Sequence, residues 1–272
     1  MRIAVILPAA GAGVRFGERN KLEEDLAGRP VFVRAVELFV SRDNVAQVVL
    51  AVDPDELDSF TFRHGDKLSF HGVTVVPGGK AGRWETVTNA LGAIDESCTH
   101  IAVHDAARPL TSRKLVDRVF DAALQYDAVI PAVPVSATLK RVTDAGDAGA
   151  PTDPLDDIIG TAGKAPARRV IETVGRAQLV EVQTPQVFEA QVLRRAYARI
   201  TDGAIDTAAI TDDAGLIEAL GEPVYVVEGE STNLKITRPE DLDIARAFAD
   251  SQGATEAATL GKKRLFGDDD DD

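Results

Sequence analysis

The stretch Ile3-Ala4-Val5-Ile6-Leu7-Pro8-Ala9-Ala10-Gly11-Ala12-Gly13-Val14-Arg15-Phe16-Gly17 opens as an apolar, β-branched run and breaks into small residues and glycines. The apolar part, Ile3 to Ala10, is too short to span a bilayer. It also lacks the basic region and long apolar core of a secretory leader, so it reads as a first strand. In the loop that follows, small residues let backbone N–H groups turn toward an anion, while Arg15 and then Lys21 supply cationic donors for phosphate oxygens. The spacing, Gly-x-Gly-x-x-x-Gly, is one residue too long for the dinucleotide fingerprint, and the Walker-type Gly-Lys-Ser/Thr ending is absent. A Rossmann dehydrogenase and a P-loop protein are thereby set aside. Taken alone, the loop is equally compatible with a glycine-rich turn whose Arg and Lys face solvent.

Outward from this loop, similar apolar runs recur at Val45 to Val52, Val73 to Val76, His100 to Val103, Ala128 to Val133 and Pro223 to Val227. Between them lie longer stretches with apolar residues at helical spacing: Val31 to Val40, Trp84 to Ile94 and Leu115 to Tyr126. Alternating strands and helices predict an α/β fold with a mostly parallel sheet covered on both faces, whose ligands collect beyond the carboxyl ends of the strands. Phe16 and Trp84 are expected to be packing residues. Residues 143–167 are rich in Ala, Gly, Asp and Pro with no sustained period, and predict a mobile surface excursion. The flanking pieces, 137–142 and 168–174, alternate as a two-stranded ribbon would. A main domain over 1–250 carrying a projecting arm over 137–176 is expected, with 251–272 a disordered acidic tail.

The composition fits a globular protein of one α/β domain or at most two ordinary domains. Its 272 residues carry 44 acidic against 30 basic side chains, a formal charge of −14, or −9 with the five aspartates 268–272 set aside. That balance argues against nucleic-acid binding, and no stretch predicts a membrane partner. Cys98 is the sole cysteine, which excludes an internal disulfide and a multi-cysteine zinc site and fits a reducing, cytoplasmic compartment.

Two further segments carry candidate chemistry. In Val103-His104-Asp105-Ala106-Ala107-Arg108-Pro109 an aspartate stands at a strand end, where it can hold Mg²⁺ that keeps several waters and leaves positions for phosphate oxygens, with Arg108 near the same anion. A turn or helix cap is the structural alternative for Asp105, and His104 reads as a hydrogen-bonded strand-end imidazole. In Asn233-Leu234-Lys235-Ile236-Thr237-Arg238-Pro239-Glu240-Asp241-Leu242, Thr237 is suited to cap a helix starting near Pro239, with Glu240 and Asp241 in its positive first turn. Lys235 precedes that start, where a cation suits a bound anion. The chain has no Gly-x-Ser-x-Gly elbow and no His-Glu-x-x-His, so hydrolytic triads and zinc chemistry are not expected.

Taken in order, these motifs resemble the 2-C-methyl-D-erythritol 4-phosphate cytidylyltransferases. The resemblance runs from Ile3 to about Phe248. It includes Gly78-Gly79 with Arg83 and Thr86-Val87, Thr138-Leu139-Lys140, Thr173-Val174-Gly175-Arg176, Gln183-Thr184-Pro185-Gln186-Val187-Phe188 and Thr211-Asp212-Asp213-Ala214. It implies a three-layer α/β/α, Rossmann-like nucleotidyltransferase with a dimerisation arm, acting on CTP with Mg²⁺. Arg15, Lys21 and Lys235 would be catalytic. Ala9, Ala10, Gly11, Ala12, Gly13, Gly79, Arg83 and Thr86 would bind the nucleotide. Asp105, Arg108, Thr138, Arg176 and Thr211 would hold methylerythritol phosphate, with Asp105 also the metal ligand and Arg176 reaching across a homodimer. Related enzymes acting on another polyol phosphate, such as ribitol 5-phosphate, share the nucleotide motifs, and a non-catalytic nucleotide-binding homologue is the alternative from another class.

Departures from the family pattern are local. Asn20-Lys21-Leu22 replaces the usual Pro-Lys-Gln, one residue nearer the glycine loop. Three residues separate Gly79 from Arg83, Thr86 replaces a serine, Ala137 replaces an aspartate, and the segment between Lys140 and Arg176 is long.

Overall fold

The computed structural model describes residues 1–11, 16, 20–144, 167–205, 207 and 210–251. In chain order the elements are β1 (Ile3–Ala9), β2 (Asp25–Leu26), β3 (Arg29–Pro30), α1 (Val31–Val40), β4 (Val45–Val52), α2 (Leu57–Phe70), β5 (Val73–Pro77), α3 (Arg83–Leu91), β6 (His100–Val103), α4 (Arg113–Ala122) and β7 (Ala128–Pro134). There follow β8 (Leu139–Val142), β9 (Val170–Val174), β10 (Val180–Val182), β11 (Gln186–Glu189), α5 (Ala190–Thr201), α6 (Asp213–Ala219) and β12 (Tyr225–Glu228), with a helix over residues 239–251, here α7.

The chain forms two units, one of residues 1–132 and 182–272, the other of Val133–Glu181. In the larger unit the strand order is β5-β4-β1-β6-β11-β7, and β12 pairs with β7. β1 runs parallel to β4 and β6, β4 to β5, and β7 to β12, whereas β11 runs antiparallel to both of its neighbours.

β1 explains how the layers form. All of Ile3 to Leu7 is buried, as expected of a central strand covered on both faces. Because side chains alternate, Ile3, Val5 and Leu7 enter one core with Phe32 and Phe39 of α1 and Val116 and Phe120 of α4. Ala4 and Ile6 enter the other, with Val87 of α3, Leu193 of α5 and Leu216 of α6. The result is the expected three-layer α/β/α arrangement. Phe16 is buried in the first core and Trp84 packs on the second.

The parallel strands and α1 stand where periodicity puts them. α3 stops at Leu91, before Gly92, and α4 starts at Arg113 because the Ser112 hydroxyl accepts from Leu115 N at 3.0 Å. Among the elements that escape the periodic reading are α2 and β11. α2 buries only Phe60 and Leu68 along fourteen residues, so it shows almost no apolar stripe. β11 is four residues long and takes its place through tertiary pairing with β6 and β7.

Within the smaller unit, β8 and β9 pair antiparallel, with Leu139 opposite Val174 and Lys140 opposite Thr173, and an Arg141–Glu172 ion pair at 2.6 Å. Of the expected excursion, residues 145–166 lie outside the described residues, as do 252–272 of the expected tail. Among the described residues no helix is long and apolar enough to cross a membrane.

Candidate active site

Two cavities open at the carboxyl edge of the parallel strands, where the strand order reverses on either side of β1. The first, about 470 Å³, lies beyond β1, β4, β5 and β6 and is lined by Ala9, Ala10, Gly11, Lys21, Gly79, Arg83, Thr86, Asp105 and Lys235 among others. Of the expected nucleotide and catalytic residues, Ala12, Gly13 and Arg15 lie outside the described residues.

The wall contributed by residues 78–82 is close-packed. Gly78 N donates to Val52 O at 2.7 Å, and a Cβ on Gly78 would stand 2.5 Å from that of Ala10. Only glycine permits this approach. Thr86, expected at the nucleotide, is buried. Its hydroxyl accepts from Gly79 N at 3.1 Å, so it shapes the loop that lines the cavity.

The second cavity, about 510 Å³, is lined by Arg108, Thr184, Gln186, Thr211 and Asp212, and by Arg83, Asp105 and Lys235. Those last three line both cavities and form the partition between them. Asp105 Oδ2 lies 2.9 Å from Lys235 Nζ and 3.4 Å from Arg108 Nε, while Oδ1 faces Arg83 Nε at 3.6 Å. Burial pushes the Asp105 carboxyl up, but Arg83, Lys235 and Arg108 outweigh it and hold the group well below the usual carboxylate range. Burial also works against the Arg83 charge, and Asp213 followed by Asp105 more than offsets it, keeping the guanidinium above its ordinary value.

Arg83 has a second anchor that the sequence reading missed. Its Nη1 lies 2.6 Å from Oδ2 of Asp213, whose side chain is fully buried and whose Oδ1 accepts from the Tyr197 hydroxyl. Asp213 stands in the quoted Thr211-Asp212-Asp213-Ala214 motif, yet its spacing alone shows no partner.

Lys235 is placed by an irregular segment locked at several points. Asn233 donates from Nδ2 to Thr184 O at 2.9 Å and accepts from the Thr111 hydroxyl at 2.7 Å. Arg108 Nη1 donates to Asn233 O at 2.6 Å, and Ile236 N donates to Ala107 O at 2.8 Å. Lys21 Nζ donates to Ile236 O at 3.0 Å, so both expected catalytic lysines converge on this segment. The helix cap differs from expectation in direction: the Asp241 carboxylate accepts from Thr237 N, Thr237 Oγ1 and Arg238 N, reaching back to satisfy the start of α7.

Thr138 and Arg176 belong to the smaller unit, where the Arg176 guanidinium donates to Ser136 O. Among the described residues no three His, Cys, Asp or Glu side chains cluster as ligands. A partition holding one carboxylate with a loosely engaged oxygen fits a hard cation that arrives with the nucleotide and takes its remaining ligands from phosphates and water.

A cation-rich partition at the switch point of a mostly parallel α/β/α sheet defines a protein of the phosphate-handling, nucleotide-binding class. The family model of 2-C-methyl-D-erythritol 4-phosphate cytidylyltransferase, IspD, matches residues 3–153 and 144–251. The enzyme of that name from Frankia casuarinae is 40% identical over 249 residues, 91% of this chain and 81% of that relative. Its counterpart from Rhodopirellula baltica is 39% identical over 258 residues, 90% of this chain and 94% of the other. The crystal structure of the Thermus thermophilus enzyme superposes with a TM-score of 0.66 at 32% identity, covering 92% of this chain and 100% of that one. The chain belongs to the 2-C-methyl-D-erythritol 4-phosphate cytidylyltransferase family.

Proposed function

We propose that this protein transfers CMP from CTP to 2-C-methyl-D-erythritol 4-phosphate, releasing pyrophosphate and supplying 4-diphosphocytidyl-2-C-methyl-D-erythritol for isoprenoid precursor synthesis in the cytoplasm. The observation that carries this reading is the shared partition: Arg83, Asp105 and Lys235 line both cavities at once. Two substrates seated on either side would meet at these charges.

CTP takes the first cavity, with its base against Ala9, Ala10, Gly79 and the loop ordered by Thr86, and its phosphates toward Gly11, Lys21 and Lys235. The family resemblance assigns Ala12, Gly13 and Arg15 to the same phosphates. The acceptor phosphate takes the second cavity, beside Arg108 and Thr211, and the family resemblance assigns Thr138, and Arg176 of a homodimer partner, to the same substrate. An acceptor phosphate oxygen attacks the α-phosphorus in line as its bond to the bridging oxygen breaks, and pyrophosphate leaves with that oxygen. Lys21, Lys235 and Arg15 stabilise the charge gathered on the phosphate oxygens, and the cavities hold the reactants in line. Asp105 would hold Mg²⁺, which when bound neutralises phosphate charge.

The test is pyrophosphate release with CTP and Mg²⁺ across a panel of polyol phosphates, with ATP, GTP and UTP as controls. Turnover confined to CTP and methylerythritol phosphate is expected. Turnover on ribitol 5-phosphate instead would reassign the acceptor, and CTP binding with no turnover on any acceptor would refute catalysis.

A further inference from the structure

Asp105 stands among three cations whose attractions are unequal. Oδ2 is engaged by Lys235 at 2.9 Å and by Arg108 at 3.4 Å, whereas Arg83 stays 3.6 Å from Oδ1. Left to themselves, a guanidinium and a carboxylate with little access to water close to hydrogen-bond distance, commonly through two parallel N–H···O contacts. Arg83 is held back by the second carboxylate, since its Nη1 lies 2.6 Å from Asp213 Oδ2. The attraction is chiefly coulombic, with a smaller hydrogen-bonding share, and so depends on the Asp213 charge. The Tyr197 hydroxyl fixes the carboxylate from behind by donating to Oδ1. Both residues are buried: Asp213 is 0% and Tyr197 3% exposed. A fully buried carboxylate is costly unless its charge is used, and nothing in the transfer step requires Asp213 to touch a substrate.

We propose that Asp213, braced by Tyr197, is a positioning residue that draws Arg83 away from Asp105 and so keeps Asp105 Oδ1 open to the divalent cation accompanying the nucleotide. The inference rests on the reading of Asp105 as the metal ligand. Removing the Asp213 charge lets Arg83 fall onto Oδ1, where it competes with the cation. The effect on metal binding therefore passes through Arg83, and removing the Arg83 charge as well reverses it.

The test is Mn²⁺ binding, measured as free Mn²⁺ by electron paramagnetic resonance at saturating CTP, with CTP binding checked for each variant. Groups that orient a metal ligand typically affect metal affinity by 10- to 100-fold, so Asp213→Asn is expected to weaken Mn²⁺ by about tenfold or more. Tyr197→Phe keeps the charge and loses one hydrogen bond, for an expected loss of about threefold. Adding Arg83→Gln to either variant should recover most of that loss, an outcome that simple structural damage by Asp213→Asn would not produce. Asp213→Asn within twofold of the parent, or a loss that Arg83→Gln does not recover, overturns the proposal. Should Asp213→Asn fail to fold, the Tyr197→Phe and Tyr197→Phe/Arg83→Gln pair decides by the same criterion. Asp105→Asn separates the two levels. If it leaves Mn²⁺ affinity unchanged, the metal-ligand reading fails; if it weakens Mn²⁺ while Asp213→Asn does not, only the positioning role fails.

Discussion

His104 adjoins the partition residue Asp105 and is fully buried. Its Nδ1 pairs with the Thr184 hydroxyl at 3.1 Å and its ring meets Phe39 edge-on at 5.2 Å between centroids, while Nε2 has no hydrogen-bond partner among the described residues. The expectation of a hydrogen-bonded strand-end imidazole thus holds for one nitrogen only. Burial pulls its pKa from 6.5 down to about 4, so the folded chain favours the neutral ring. Between those values the unfolded chain binds more protons, and stability rises with pH. This contribution is fully present above pH 6.5 and is lost as pH falls toward 4, amounting to about 3 kcal/mol across the window. Urea unfolding at pH 7 and pH 4.5 should show the drop, and His104→Phe should flatten most of it. Equal slopes in the two proteins would exclude His104 as its source.

At the scale of elements, the segment 233–237 has no regular structure, yet it positions Lys235 and accepts from Lys21. Asn233 is its fastener, 1% exposed and bonded to Thr111 and to Thr184 O. Asn233→Ala leaves buried partners unsatisfied and should cost about 2–3 kcal/mol in denaturant unfolding. Because Lys235 then loses its fixed place, initial-rate measurements should show kcat falling by more than KM for CTP rises. Unchanged kcat would mean that the segment needs no fastening for turnover. Periodicity could not foresee this element, because its order comes from side-chain bonds to residues more than forty positions away.

At the scale of the whole molecule, the chain carries Lys21 in the larger unit and Arg176 in the smaller. If Arg176 serves the partner's site in a homodimer, mixing two inactive variants, Lys21→Ala and Arg176→Ala, concentrates both lesions in one site of each mixed dimer and leaves the other intact. Random re-association of equal amounts should then restore about a quarter of the parental pyrophosphate release. No recovery after subunit exchange, verified by tagged copies, would place Arg176 within its own subunit's chemistry.

The parallel strands and the flanking helices α1, α3 and α4 were legible in the sequence because each is written in local periodicity, which burial on either face of the sheet then rewards. The motif residues Lys21, Asp105, Arg108 and Lys235 were legible as candidates for the same reason: they stand next to strand ends and loops. Their convergence was not, since Asp105 and Lys235 are 130 residues apart and meet at 2.9 Å only through the docking of the Asn233 segment. The Asp213–Arg83 pairing, the antiparallel β11 and the one-sided hydrogen bonding of His104 likewise arise from contacts distant in sequence. Local pattern carries propensity, but the distance between two charges is set by packing of the whole fold, and that distance decides what they can do together.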